Sequence, residues 1–490
     1  MHRSGLERVV VDQSGFDRVA RQPLPITYTC AGCGYAAPGD RPVPLRCPQT
    51  APDDDIDHVM GRVLDTTRLS FPAGFEANPF ARFRTLLHSY HLAVAHGWSD
   101  SRYVELVERL DAAVAAIDGR GFRVTPFERQ AALSERLGFA HDGGVLVKDE
   151  TGNVSGSHKA RHLMATLLEL EVADAIEGRT GQPPRLAIAS CGNAALAAAV
   201  VAAAAGRDLD VFIPPDASPV IVTRLEELGA HLTVCERTAG IAGDPTVVQL
   251  REALEGGAVA FTCQGNENGL AVEGGLTLAW ELATELAATG TRLDRLFVQV
   301  GGGALASACV QGLDEARRLG GTDANPAIHP VQAATVAPLA RAYERLAHRL
   351  DDDAPSPLNL TWAARHRSAF MWPWETEPHG VASGILDDET YDWLAVVRGT
   401  IASGGSPVVV DEATLLEANE MARQTTGIDV DPTGTAGLAG LLDLRRRALV
   451  AAHETVAVMF TGVSARHTDW ITDERRMAPA GPDSRRPSWP

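Results

Sequence analysis

Short runs of β-branched and other apolar residues recur along the chain after residue 140, and segments with helical apolar spacing separate most of them. The runs predict buried β-strands at residues 145–147, 186–189, 211–213, 232–234, 259–262, 296–300, 328–332, 408–410 and 456–460. The intervening segments predict helices at residues 194–205, 219–228, 270–286, 305–318, 412–425 and 436–449. Alternation of strands and helices indicates a mainly parallel α/β fold. The number of units is too large for one small sheet, so the pattern predicts two α/β lobes with a cleft between them.

The N-terminal part of the chain follows a different pattern. Apolar residues fall at helical spacing from residue 80 to 117, which predicts a pair of helices ahead of the α/β region. Residues 1–60 are rich in proline, glycine and cysteine. The predicted division is therefore a ribbon-like segment (1–60), a helical extension (61–120), a larger α/β lobe (121–160 and 261–464), a smaller α/β lobe (161–260) and an irregular tail (465–490).

Three of the seven cysteines lie in the ribbon-like segment, at Cys30, Cys33 and Cys47. Tetrahedral zinc takes four ligands, and a zinc ribbon would offer a second cysteine pair, whereas Cys47 stands alone. The candidates for a fourth ligand are His58, Asp53 and Asp57. The alternative is a degenerate ribbon that binds no metal. Seven cysteines are few for this length and odd in number, so a disulfide framework is not expected.

Composition narrows the function class of the 490-residue chain. With 45% hydrophobic and 22% charged residues it is globular, and its net charge of −19 at pH 7 opposes nucleic-acid binding. Residues 1–20 contain no signal-peptide core, which predicts a cytoplasmic protein. Residues 186–206 are nearly uncharged, but they are alanine-rich and contain Ser190, Gly192 and Asn193. They therefore predict a strand and a buried helix rather than a membrane span.

Lysine is rare in this chain. Lys148 and Lys159 are the two lysines among 44 basic residues, and both lie within residues 148–159. Arginine can supply surface charge and ion pairs, but it stays protonated, whereas a lysine amine can lose its proton and form an imine. Two lysines so close together indicate either chance or a site that needs an amine.

Four strand-to-helix turns carry unusual residues. They are residues 152–159 after the first predicted strand of the α/β region, 190–193 after the second, 300–305 with three consecutive glycines, and 461–462 after the last. In α/β folds, ligands bind beyond the carboxyl ends of strands, where such turns present backbone N–H groups. A glycine run at this place can hold a phosphate monoester.

In this order, these motifs resemble those of pyridoxal-phosphate enzymes with the tryptophan synthase β fold (fold type II), most closely threonine synthase and its relatives. Residues 148–161 resemble the family's lysine motif, residues 190–193 its Ser/Thr-x-Gly-Asn loop and residues 301–305 its phosphate-binding loop. Further matches lie at residues 273–282, 431–438 and 460–462, so the resemblance covers about residues 120–465. It implies an α/β fold of two lobes with mainly parallel sheets, carrying the ribbon-like and helical extension at its N-terminus.

The resemblance also implies residue roles. Lys159 would hold pyridoxal 5′-phosphate as a Schiff base, pass it to the substrate amine and then remove the α-proton. Asn193 would hydrogen-bond the 3′-oxygen, Thr461 would face the ring nitrogen, and His158 would either touch the phosphate or cap the helix. The backbone amides that would bind the phosphate are those of Gly301, Gly302, Gly303, Ala304 and Leu305. The residues that would contact the substrate are Ser157, Arg161, Ser190, Cys191, Gly192 and Ala194.

Departures from the family pattern leave the substrate open. Threonine synthases commonly have Phe and Asp beside the lysine, where this chain has His158 and Ala160. A neutral hydroxyl at Thr461 leaves the pyridine unprotonated, which favours elimination or replacement over transamination. Lys148 is expected to be a strand-end charge, and Glu150 to be solvated or to pair with a helix dipole.

Three functions remain in competition. The first is a threonine-synthase-like lyase, which would need Arg161, another arginine or His158 to hold a γ-phosphate. The second is a β-elimination or β-replacement enzyme, similar to serine/threonine dehydratase or tryptophan synthase β, acting on another amino acid. The third is a non-enzymatic cofactor-binding or zinc-ribbon protein. Fold-family analogy favours a homodimer that acts on a small amino acid.

Overall fold

The computed structural model describes residues 23–51, 54–179, 181–237, 244–350, 357–376 and 378–463. The predicted tail (465–490) and the candidate ligand Asp53 lie outside the described residues. The strands are β1 (Ile26–Cys30), β2 (Met60–Leu64), β3 (Phe127–Arg129), β4 (Gly144–Asp149), β5 (Leu186–Ala189), β6 (Leu209–Ile213), β7 (His231–Val234), β8 (Val259–Ala260), β9 (Arg295–Gln299), β10 (Ala327–Ala333), β11 (Val408–Val410) and β12 (Thr455–Phe460).

The α-helices alternate with these strands over most of the chain. They are α1 (Pro79–Arg82), α2 (His88–Ala95), α3 (Asp100–Asp118), α4 (Ala131–Arg136), α5 (Lys159–Glu177), α6 (Asn193–Ala204), α7 (Pro219–Glu227), α8 (Pro245–Glu255), α9 (Ala271–Thr289), α10 (Ala304–Arg318), α11 (Pro338–Leu350), α12 (Pro357–Ala364), α13 (Trp393–Ala402), α14 (Glu412–Thr426) and α15 (Ala436–Arg446). Among the described residues, no helix combines the length and apolar content that a bilayer crossing requires.

In the described part of the chain, the larger sheet has six strands in the order β11-β10-β9-β12-β4-β3. Every pair is parallel except β3 with β4, which is antiparallel. Both faces are covered, as parallel sheets require. Ala457 and Met459 of β12 join the core shared with α9 and α10, while Val456, Val458 and Phe460 join the core shared with α14 and α15.

The smaller sheet, over the same described ranges, has four parallel strands in the order β7-β6-β5-β8. The chain builds β5 first, adds β6 and β7 on one side and then returns to place β8 on the other side. The winding direction therefore reverses at β5, which is the position where ligand crevices form in open α/β sheets. The two sheets agree with the predicted two-lobed α/β architecture, while the exact domain limits stay a prediction.

Helices α5 and α9 pack against each other in the centre of the main hydrophobic core. A Cβ on Gly274 in α9 would lie 2.6 Å from the carbonyl carbon of Arg161 in α5, so only glycine allows the two helices to approach this closely. Gly275 is equally constrained, because a Cβ there would lie 2.9 Å from Nδ1 of His162. These contacts give a packing reason for the glycine pair, which lies in one of the segments that resemble the family.

The N-terminal hairpin of β1 and β2 is anchored to this centre by buried charges. Arg62 of β2 pairs with Glu273 of α9 and with Glu315 of α10, the latter at 2.8 Å. Tyr28 of β1 donates a hydrogen bond to Glu273 at 3.0 Å. The hairpin is therefore held to the α/β body through charged side chains that are each at most 5% exposed.

Candidate active site

The carboxyl ends of β4, β5, β9 and β12 open onto one cleft of about 770 Å³. This cleft brings together most of the site residues predicted from the sequence. The predicted residues that line it are His158, Lys159, Ser190, Cys191, Gly192, Asn193, Ala194, Gly301, Gly302, Gly303, Ala304, Leu305 and Thr461.

Lys159 begins α5 at the turn that follows β4. Before it, Ser157 pairs with Gly462 through an isolated antiparallel bridge, and the Ser157 hydroxyl accepts the Lys159 backbone N–H at 3.4 Å. Ser157 is fully buried and is not among the described lining of the cleft, so it fixes the turn instead of reaching a substrate. Within the described part of the chain, no carboxylate forms an ion pair with the Lys159 amine. The amine is therefore available to attack a carbonyl.

Thr461 presents its hydroxyl in a defined orientation because of Gln299. The Gln299 Nε2 atom lies 2.5 Å from Thr461 Oγ1, 3.0 Å from the Gly434 carbonyl oxygen and 3.3 Å from the Met459 carbonyl oxygen. Carbonyl oxygens only accept hydrogen bonds, so this end of Gln299 is its NH₂ group, and it donates to Thr461. The Thr461 hydroxyl proton is then left to donate into the cleft, which suits an unprotonated pyridine nitrogen.

Asn193 lies against the same turn. A Cβ at Gly462 would be 2.8 Å from Asn193 Nδ2, so the glycine leaves the room that the amide occupies. Asn193 is also the first residue of α6, which follows β5 after the short loop of Ser190, Cys191 and Gly192. The first backbone N–H groups of a helix lack partners within it and attract anions. This loop therefore fits a substrate carboxylate, and Asn193 lines the same cleft as Lys159.

The glycine loop between β9 and α10 fits a phosphate group. Gly303 has a φ of +100° and a Cβ there would lie 2.8 Å from Cγ2 of Thr390, so the position requires glycine. Helix α10 begins at Ala304 and directs its N-terminal amides toward the cleft. Burial raises the pKa of Asp387, beside this loop, to about 6, and the charge of Lys159 opposes that rise. The cofactor phosphate would be held by the amides of Gly301, Gly302 and Gly303 and by the first amides of α10.

His158 is a neutral side chain at this site. Burial, with Lys159 and His162 nearby, holds the pKa of His158 well below its ordinary value. Its Nδ1 lies 3.2 Å from the Thr461 carbonyl oxygen, to which it must donate, and its side chain does not cap α5. The Nε2 atom then carries a lone pair and has no partner among the described residues. In this tautomer Nε2 accepts hydrogen bonds, so it is unsuited to binding a phosphate oxygen.

Arg161 lies outside this cleft, which corrects the prediction of a substrate contact. Its Nε donates to Glu150 at 2.8 Å and its Nη1 to Glu281 at 2.6 Å, and all three side chains are at most 1% exposed. Lys148 belongs to the same cluster, with Nζ 2.5 Å from Glu281. Lys148 lies one residue before the end of β4, as expected of a strand-end charge, but it is buried in this ion pair. The expectation of a solvated Glu150 is wrong, because Glu150 is fully buried beside Arg161.

The ribbon-like segment brings four possible metal ligands together. The ligand atoms of Cys30, Cys33, Cys47 and His58 all lie within 4.8 Å of one another. The Cys33 and Cys47 sulfur atoms are 3.6 Å apart, and Cys30 Sγ is 3.5 Å from His58 Nδ1. Three thiolates and one imidazole form an ordinary set for tetrahedral zinc. Of the two described candidates for the fourth position, His58 joins the cysteines, whereas Asp57 faces Arg367 at 3.4 Å.

A protein-family model matches the sequence over the α/β region. This family model, described as "Pyridoxal-phosphate dependent enzyme", matches residues 120–462. The chain belongs to this family. The N-terminal hairpin and the helices α1 to α3 precede the matched region.

Curated relatives of this enzyme are named threonine synthase. The protein of Methanosarcina acetivorans is 25% identical over 340 residues, which is 69% of this chain and 74% of the relative. The protein of Synechocystis sp. is 26% identical over 347 residues, covering 70% of this chain and 77% of the relative. The predicted resemblance to threonine synthase relatives is thereby confirmed.

Solved structures share the fold. Diaminopropionate ammonia lyase from Escherichia coli has a TM-score of 0.54 and 16% identity, over 76% of this chain and 92% of that chain. Threonine deaminase isoform 2 from Solanum lycopersicum has a TM-score of 0.53 and 14% identity, over 78% of this chain and 95% of that chain. These similarities confirm the fold type II architecture.

Several lining residues were missed by the sequence argument. They are Gln299, Cys263, Gln264, Asp387 and Tyr391. Gln299 had a signal, because it is a polar residue at the end of an apolar strand and directly before the glycine loop. Asp387 and Tyr391 lie in an irregular segment without periodicity, so only the folded chain brings them to the cleft.

Proposed function

We propose that this enzyme catalyses elimination or replacement at the side chain of a small amino acid, as a lyase of the threonine-synthase-like type. The observation that carries the proposal is the Lys159 amine, which lacks an ion-pair partner among the described residues and lies in a cleft with the glycine loop and Thr461. Bound pyridoxal phosphate supplies the electron sink for the bond that breaks at Cα.

The residues of the chain would divide the work. Lys159 would hold the cofactor and, once free of it, would accept the Cα proton at Nζ. The amides of the Ser190 loop would orient the substrate carboxylate at the N-terminus of α6. Thr461 would offer its hydroxyl proton to a neutral ring nitrogen, an arrangement that favours loss of a leaving group over transamination.

The test is the visible absorbance of the purified enzyme with pyridoxal phosphate. Wild type should be yellow, and Lys159→Ala should lose the absorbance, while Lys148→Arg, which keeps the buried positive charge beside Glu281, serves as the matched lysine control. A panel of amino acids should then change the wild-type spectrum and release a 2-oxo acid or a new amino acid. A colourless protein that ignores added cofactor would overturn the proposal and favour a non-enzymatic module.

We also propose that Cys30, Cys33, Cys47 and His58 bind one zinc ion that stabilises the N-terminal hairpin. The support is the donor set and its spacing in the fold. Elemental analysis should give one zinc per chain for wild type and none for Cys33→Ser. The control Cys309→Ser, which changes a buried cysteine far along the chain, should keep one zinc per chain. A metal-free wild type, purified without chelators and not binding added zinc, would refute the site.

We further propose that the enzyme is cytoplasmic and, by analogy with the fold family alone, that it is a homodimer. Light scattering of the holoenzyme should give twice the mass of the 52.0 kDa chain. A monomer at micromolar concentration would refute the dimer.

A further inference from the structure

Asp387 is a carboxylate held in a fixed place beside the glycine loop. A side chain on Gly301 would collide with the Asp387 carboxylate, and a Cβ on Gly302 would lie 3.8 Å from Oδ1 of the same carboxylate. The following residues tie the segment down, because Thr390 Oγ1 donates to the Gly301 carbonyl at 2.9 Å and the Asp392 N–H donates to the Gly302 carbonyl at 3.1 Å. Asp387 is therefore positioned by the same loop that fits the cofactor phosphate.

Among the described residues of the cleft, the other ionisable side chains around Lys159 are acids and a neutral histidine, not cations. Lys159 is the single lysine of this described lining, and no arginine is present. His158 is neutral, since burial lowers its pKa well below the ordinary value. The carboxylates in the same lining are Asp244, Asp387 and Asp431. Once Lys159 holds the cofactor, the described residues that line the cleft offer no other cationic side chain to bind an anionic group on the substrate.

A phosphorylated substrate side chain would meet unfavourable electrostatics here. The cofactor already brings one phosphate, and a second would enter a cleft whose described lining contains Asp387 and no arginine to compensate for it. Like charges placed together without a counter-ion are costly and discriminate strongly between ligands. A side chain that ends in an ammonium or a hydroxyl can instead donate a hydrogen bond to Asp387.

We infer that Asp387 determines specificity, and that the substrate is an amino acid whose side chain ends in a hydrogen-bond donor, an ammonium or a hydroxyl, rather than in a phosphate ester. This inference rests on the proposed function, since it concerns the substrate of the same cleft. Burial raises the pKa of Asp387 to about 6, and the charge of Lys159 opposes the rise. The carboxyl group can accept a hydrogen bond in either protonation state, and its ionised form is the stronger acceptor.

The test compares ligands that share a skeleton and differ in the terminal group. Holoenzyme is titrated with 2,3-diaminopropionate, serine and O-phosphoserine, and separately with 2,4-diaminobutyrate, homoserine and O-phosphohomoserine. The dissociation constants come from the change in cofactor absorbance. In at least one set the amine or the hydroxyl should bind about tenfold or more tightly than the phosphate ester. A phosphate ester that binds as tightly as its partners in both sets would overturn the inference.

Variants assign the effect to one residue. Asp387→Asn should weaken binding of the ammonium ligand by about tenfold and narrow its advantage over the phosphate ester, while Asp387→Glu should restore much of it. Asp388→Asn is the matched control, because Asp388 is the adjacent acid and is not among the described lining residues. If Asp387→Asn and Asp388→Asn have equal ligand preferences, the assignment fails. If Asp387→Asn loses the cofactor, the wild-type preferences alone decide.

The outcome also separates this inference from the proposed function. A yellow enzyme that responds to amino acids but prefers phosphate esters overturns the inference and leaves elimination or replacement intact. A protein that binds no cofactor, or in which Lys159→Ala keeps the absorbance, overturns the proposed function and this inference with it.

Discussion

The buried charge cluster between α5 and α9 predicts a large loss of stability when Arg161 is replaced by methionine. The substitution keeps an unbranched apolar stem and removes the guanidinium that donates to Glu150 at 2.8 Å and to Glu281 at 2.6 Å. Lys148 stays 2.5 Å from Glu281, so the charge left without a partner is that of Glu150.

The magnitude follows from the burial of these groups. Arg161 and Glu150 are each 0% exposed, and removal of one partner of such a buried pair costs about 3–5 kcal/mol. Burial alone would raise the pKa of Glu150, but Arg161 outweighs it and holds that pKa below its ordinary value. We therefore expect Arg161→Met to lower the free energy of unfolding by about 3–5 kcal/mol at pH 7. The double variant Arg161→Met/Glu150→Gln should recover part of this lost stability, because it no longer buries the unpaired charge of Glu150.

Urea unfolding of the cofactor-saturated enzyme, followed by circular dichroism, measures these differences. Arg84→Met is the control, since its partners Glu76 and Asp100 are 41% and 50% exposed and the pair should contribute at most about 1 kcal/mol. The reasoning is refuted if Arg161→Met unfolds like wild type while its KM for the substrate rises. That result would return Arg161 to the substrate side of the cleft.

Three further substitutions test the cleft and its surroundings. Gly303→Ala should weaken pyridoxal-phosphate affinity by about tenfold in equilibrium dialysis, because φ is +100° there, whereas Gly152→Ala, with open space around it, should not. Gln299→Leu should keep the bound cofactor but slow turnover, and unchanged turnover would contradict the role given to the Gln299 amide. The substitution should also lower the free energy of unfolding by about 1–3 kcal/mol, because two buried carbonyl groups lose their hydrogen-bond donor. Burial raises the pKa of Asp392 to about 7, above its unfolded value of about 4, so the folded protein binds this proton more tightly than the unfolded chain. The stability that the proton gives the folded protein is complete below about pH 4 and is lost as the pH rises through 7. Asp392→Asn should flatten this decline in urea midpoints measured from about pH 5 to 8, and an identical decline in both proteins would refute it.

The elements that the sequence predicted well are those with a strong local signal. All nine predicted strands of the α/β region correspond to strands of the structure, because each combines β-branched residues with a turn at its end. The agreement is weakest at β8, where the predicted run of 259–262 yields the short strand Val259–Ala260. Strands β1, β2 and β3 were not predicted, since they contain polar residues and depend on their partners for pairing.

The candidate site divides in the same way. The turns that contain Lys159, Asn193, Gly303 and Thr461 were predictable from the chain, since each is a local strand–turn–helix or strand-end feature. The placement of Asp387 was not, because its segment has no period and reaches the glycine loop only through tertiary hydrogen bonds. The choice of His58 over Asp57 beside the cysteines likewise depends on the folded hairpin.

The two lysines show which information is local and which is not. The order of residues alone established that an amine follows the first strand of an α/β unit and precedes a helix, because strand, turn and helix are set by residues close in the chain. The sequence did not show that Lys148 is buried in an ion pair, and it did not predict that Arg161 points away from the cleft. Folding determines both, since the approach of α9 at Gly274 brings Glu281 to Lys148 and Arg161 and leaves Lys159 facing the cleft. Charge partners more than one hundred residues apart are fixed by packing, and no local pattern encodes them.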